Sequence, residues 1–142
     1  MKRIHLFEFE DQTWFPSLLR NYVTDFLQFL SNKAKVYQSV VPEINQALKQ
    51  SNSKKIIDLG SGSGGGLLWL ATELKKENTD LQIVLTDLYP NETAFNNAAK
   101  SLPYFTYHNE PVNATNVPET LKGFRTMFLS FHHFKPQQAT KI

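Results

Sequence analysis

Beyond residue 53 the apolar residues of this chain switch period repeatedly, from two to between three and four and back, and few folds accommodate that. Lys55-Ile56-Ile57-Asp58-Leu59 reads as a short buried strand stopped by Gly60. Leu67, Leu68, Leu70, Ala71 and Leu74 then mark a helix, and Leu81 to Thr86 a second strand that ends at Asp87. Asn91 is placed to cap a helix carrying Phe95, Ala98 and Ala99. Tyr104 to His108 form a third strand, Pro118 to Leu121 a turn that Gly123 closes, and Phe124 to Phe131 a fourth strand. Strands separated by helices pair in parallel through right-handed crossovers. The expected class is α/β, an open parallel sheet with helices on both faces.

The region before residue 53 has another character. Ile4 to Phe9 is β-prone and Glu10-Asp11-Gln12 a polar turn. Pro16 suits the first position of a helix, where its missing N–H has no partner to lose. Leu18, Leu19, Tyr22, Val23, Phe26, Leu27 and Leu30 then recur at helical spacing, and with Trp14 and Phe15 they read as core. Val36 to Leu48 continue the helical pattern, with a kink or restart expected at Pro42. The chain thus divides into an N-terminal helical extension or lid, residues 1–53, and a strand–helix unit, residues 54–142.

Composition narrows the function by exclusion. At 142 residues the chain holds one core. A net charge of +2 with scattered Lys and Arg gives no nucleic-acid or anionic-membrane footprint. The absence of cysteine removes disulfides, thiolate chemistry and cysteine-ligated zinc. There is neither a bilayer-length apolar run nor an apolar stretch behind Met1-Lys2-Arg3 of the kind a secretory signal carries, so a cytoplasmic location is expected.

The chemistry concentrates in Asp58-Leu59-Gly60-Ser61-Gly62-Ser63-Gly64-Gly65-Gly66, which joins the first strand to its helix. So many glycines cost backbone entropy that a plain turn does not require. They admit a ligand close to the backbone, and the helix beyond offers free N–H groups and the positive end of its dipole. Gly60, Gly62 and Gly65 fit G-x-G-x-x-G, whereas Gly60, Gly62 and Gly64 fit G-x-G-x-G. Asp58, two residues ahead, separates the two readings: its carboxylate repels a pyrophosphate and attracts an ammonium-bearing ligand.

Asp58-x-Gly60-x-Gly62-x-Gly64 resembles the first motif of the class I S-adenosylmethionine-dependent methyltransferases. The resemblance runs from about Lys54 to His133. It implies a Rossmann-like sheet of order 3-2-1-4 as far as the chain runs, with a ligand crevice where the order reverses. It implies that Asp58, Gly60, Ser61, Gly62 and Gly64 surround S-adenosylmethionine. Asp87 then binds the ribose, Leu88 packs on the adenine, and Asn113 and Ala114 hold its amino group, although many members have Asp where Asn113 stands. Ser130 would face the methionine part. Trp14, His132 and His133 are candidates for a pocket holding a small-molecule acceptor, and the front segment around Trp14 resembles stretches in uncharacterised members.

No catalytic base and no metal site emerge, because His132 and His133 on an extended chain point opposite ways. Family members have seven strands, so this chain is expected to stop before strands five to seven and to expose its fourth as an apolar edge. A homodimer or swapped assembly through residues 124–142 follows from that edge. A nicotinamide-dependent oxidoreductase and a non-catalytic cofactor-binding or assembly module are the alternatives.

Overall fold

A computed structural model describes residues 35–142 together with residues 14–16, 18, 19, 22, 23, 26, 29, 30 and 33. The β-prone segment at Ile4 to Phe9 and the turn at Glu10 to Gln12 lie outside the described residues. Four strands form one parallel sheet: β1 (Lys55–Leu59), β2 (Gln82–Thr86), β3 (Phe105–Tyr107) and β4 (Phe124–Thr126). Their order is β3-β2-β1-β4. β1 lies in the middle because Ile56, Ile57 and Leu59 are apolar toward both faces, as a strand covered on both sides requires. The register sets Asp58 opposite Leu85 on one side and opposite Thr126 on the other.

Three helices gather on one face. They are α1 (Val41–Ser51), α2 (Leu68–Glu77) and α3 (Glu92–Ser101). Ile44 and Leu48 of α1, Leu70, Ala71 and Leu74 of α2, and Phe95 and Ala98 of α3 bury one continuous core with Ile56, Ile83, Leu85 and Phe105. Each large side chain so buried contributes about 1.5–3 kcal/mol of transfer free energy. The opposite face, built on Ile57 and Leu59, is covered by Val112, Ala114, Val117 and Leu121 and then by Met127, Phe134 and Ile142. That cover is irregular chain plus a one-turn helix, α4 (Pro136–Ala139). Right-handed crossovers account for the asymmetry: β1 to β2 and β2 to β3 cross over one face, and the return from β3 to β4 must use the other.

Local chemistry sets the boundaries. Pro42 stands in the first turn of α1, after a 3₁₀ turn at Gln38–Val40, so the helical pattern restarts there. Asn52, in the left-handed region at φ 49°, closes α1 by donating to the carbonyls of Leu48 and Lys49. Asn91 caps α3 as expected, its side chain accepting the Ala94 N–H at 3.1 Å. Buried Asn45 donates to Glu77 at 2.9 Å and accepts from Asn78 at 2.8 Å, fastening α1 to the end of α2.

Two expectations change. The apolar run from Phe124 to Phe131 does not remain a strand: β4 ends at Thr126, Leu129 takes φ 58°, and Phe131–His133 form a 3₁₀ turn. Nor is the front segment core. Leu18, Leu19, Tyr22, Val23, Phe26 and Leu30 are helical as their spacing requires, but these side chains and Trp14 are 40–64% exposed. Among the described residues no helix is long and apolar enough to cross a membrane.

Candidate functional site

The turn after β1 bends sharply enough that Gly60, Gly62 and Gly64 all take positive φ, at 68°, 60° and 76°. A side chain would be strained at each, and at two of them it would also collide. A Cβ on Gly60 would meet the Ser130 hydroxyl at 2.6 Å, and one on Gly64 would run into Leu85. The glycines therefore let the loop settle between the ends of β2 and the chain leaving β4. The 3₁₀ turn at Gly65–Leu67 follows, and α2 opens only at Leu68.

Beneath this loop lies Asp58, only 1% exposed. One carboxylate oxygen accepts the Ser61 hydroxyl at 2.7 Å and the other accepts the Thr126 hydroxyl at 2.7 Å. Thr86 donates to the Asp58 carbonyl at 2.8 Å, and its own N–H reaches the Ser61 oxygen at 3.1 Å. Burial pushes the Asp58 carboxyl up to about 7; the two hydroxyls act against that rise and the nearby Asp87 charge adds to it. Asp58 thus ties β1 to the loop and to β4, and it carries only part of a charge near neutral pH. It does not front the ligand space as a full anion, which moves the electrostatic argument to another residue.

That residue is Asp87, one position past β2. One oxygen accepts the Gly62 N–H at 2.8 Å and the other accepts the Tyr89 N–H at 2.9 Å. The Ser61 N–H meanwhile donates to the Thr86 carbonyl at 2.9 Å, so loop and strand end are joined at two successive residues. Leu88, beside Asp87, is exposed.

The third loop comes to the same place. The Val112 N–H donates to the Asp87 carbonyl at 2.8 Å, which brings Asn113 and Ala114 beside the strand end. The Asn113 side-chain oxygen accepts both the N–H and the hydroxyl of Thr115, at 2.9 and 2.8 Å. It serves its own turn, and Ala114 is buried below.

Ser130 closes the group from the β4 side, against Gly60. The structure therefore brings together Asp58, Gly60, Ser61, Gly62, Gly64, Asp87, Leu88, Asn113, Ala114 and Ser130 at the carboxyl ends of the strands, where the order reverses. The Trp14 ring meets Phe15 edge-on, with centroids 6.3 Å apart. His132 and His133 follow Ser130, but the 3₁₀ turn carries their rings to one side, 4.1 Å apart and 35° from parallel. The opposed orientation expected of an extended strand is thereby corrected. Among the described residues no group of three or more His, Cys, Asp or Glu side chains gathers to hold a metal ion.

Thr86 and Thr126 are the contributors that sequence reasoning missed. Their signal was the parallel register, which sets both on the same side of the sheet as their neighbours on β1, but a three-residue strand does not disclose its register without coordinates. No family model, curated protein or solved structure matches the chain.

Proposed function

We propose that this chain binds S-adenosylmethionine and serves methyl transfer to a small-molecule acceptor. The observation that carries the reading is the Asp87 carboxylate on the Gly62 N–H. The loop donor that would greet a phosphate already faces a carboxylate. A pyrophosphate brought there would meet like charge at contact distance, whereas a ribose diol would donate to the lone pairs that remain. The late opening of α2, at Leu68, supports the same choice, because dinucleotide sites set the pyrophosphate directly on a helix N-terminus.

On this reading Asp87 holds the ribose hydroxyls and Leu88 covers one face of the base. The backbone of residues 112–114 borders the base edge, since the Asn113 carbonyl oxygen is engaged with Thr115. Gly60, Ser61, Gly62 and Gly64 give the cofactor a close approach to the main chain, with Ser130 opposite. The cofactor supplies a methyl group already activated by its positive sulfur, so the chain's own task is to hold the acceptor in line. His132 and His133, one turn beyond Ser130, border the acceptor side. Asp58 acts from below by holding Ser61 and β4 in place.

Calorimetric titration with S-adenosylhomocysteine and with NAD tests the proposal. Heat from the first and none from the second is expected. NAD binding with no response to S-adenosylhomocysteine would replace the reading with the nicotinamide-dependent oxidoreductase. Silence from both would leave an assembly module. Self-association through residues 124–142 belongs to this reading too, but β4 offers a partner only three strand residues, among them exposed Arg125.

A further inference from the structure

The described residues of the front segment leave large apolar side chains in water. Leu18, Leu19, Tyr22, Phe26, Phe29 and Leu30 are helical and 43–63% exposed. At 3.6 residues per turn these six positions fall within about 120° of arc, so they form one stripe. Six large side chains about half exposed present roughly 600 Å² of mostly apolar surface, beyond what most monomers leave contiguous. Val23, at the edge of the same arc and also exposed, brings the surface to about 700 Å², near the roughly 800 Å² that each partner gives to a standard-sized interface.

We propose that this stripe is covered by a second copy of the same chain, the two helices lying antiparallel across a two-fold axis. Self-pairing is favoured by the order of the residues. Antiparallel packing centred on position 24 sets Leu18 against Leu30, Leu19 against Phe29 and Tyr22 against Phe26, so each apolar side chain meets another. Charge agrees. From Trp14 to Lys33 the only charged residues are Arg20, Asp25 and Lys33, so two copies meet without a like-charge penalty. The same scarcity of Lys and Arg removes the electrostatic attraction by which interfacial helices hold to anionic lipid.

The test is sedimentation velocity of the full chain between about 1 and 100 μM, a range set by the affinity that a standard interface supports. A reversible dimer is expected. Tyr22→Lys alone and Phe26→Glu alone should each weaken dimerisation at least about tenfold, because each removes a ring from the middle of the seam and leaves a desolvated charge there without an opposite partner. The two together should restore it, since each copy then meets its complement twice. Circular dichroism must show all variants folded, which substitution at exposed positions permits. A wild-type monomer throughout the range would overturn the proposal. So would a dimer indifferent to the single substitutions, a double variant no better than either single, or a monomer that sediments only with phosphatidylcholine–phosphatidylglycerol vesicles.

Discussion

Two aspartates carry the site in opposite ways. Asp87 presents its carboxylate to a loop N–H and to the space above it, so its removal should be felt by the ligand. Asp87→Ala should weaken S-adenosylhomocysteine binding about ten- to a hundredfold, the worth of charge-assisted hydrogen bonds at 1.5–3 kcal/mol. Unchanged affinity in calorimetry would remove the ribose assignment. Asp58 presents nothing upward, and its removal should be felt by the fold. In the unfolded chain it ionises near 3.8, and in the folded protein it keeps its proton up to about 7. Between these values the folded state binds more protons, so stability is full below the lower pH and declines as pH rises through the upper one. The decline from this one group is on the order of 4 kcal/mol. Asp58→Asn can still accept one hydroxyl and donate to the other, and it has no proton to lose. Urea denaturation at pH 5 and pH 8 should show the variant gaining on the wild type as pH rises; parallel behaviour would contradict the buried-carboxyl account. Both aspartates were visible in the sequence at the ends of apolar runs. Their difference was not, because burial and partners depend on Ser61, some three residues away, and Thr126, sixty-eight away.

At the level of elements, Thr126 decides how firmly β4 belongs to the sheet. The strand has three residues, and its side-chain tie to β1 is the hydroxyl donated to Asp58 at 2.7 Å. Thr126→Val keeps the shape and removes the donor, leaving a buried carboxylate oxygen unsatisfied. Destabilisation of about 1–3 kcal/mol is expected by denaturant titration, with the Asp58 carboxyl moved further upward. In an Asp58→Asn background the loss should shrink, because the two side chains act as a pair. The strands β1 and β2 were legible as apolar runs bounded by Gly60 and Asp87, and α3 as a helix opened by Asn91. β4 was read too long for an identifiable reason. Met127, Phe128 and Leu129 continue its apolar run, but Leu129 turns into the left-handed region, which costs about 1–2 kcal/mol for a residue with a Cβ and which no periodicity announces. That turn returns the chain so that Ser130 meets Gly60. The helix after Pro16 was legible as a helix and misread as core, since spacing identifies an apolar face without saying what covers it.

Among the described residues the sheet is covered unequally, with α1, α2 and α3 on one face and irregular chain with the one-turn α4 on the other. The strand ends nonetheless converge on one place, because the reversal between β1 and β4 opens the crevice there whatever covers the faces. The protein's own hydrogen bonds pin the glycine turn, by Ser61 to β2 and by Gly62 to Asp87. The conformational freedom of five glycines has been surrendered on folding, and little is left for an arriving nucleoside to organise. Association should therefore proceed in one kinetic phase, with a rate linear in nucleoside concentration and no plateau from a slow rearrangement. Stopped-flow mixing with S-adenosylhomocysteine would reveal a hyperbolic rate if the turn had to reshape first. A receptor cast before its guest arrives gives up adaptability, and close analogues lacking the ribose diol should be turned away rather than accommodated.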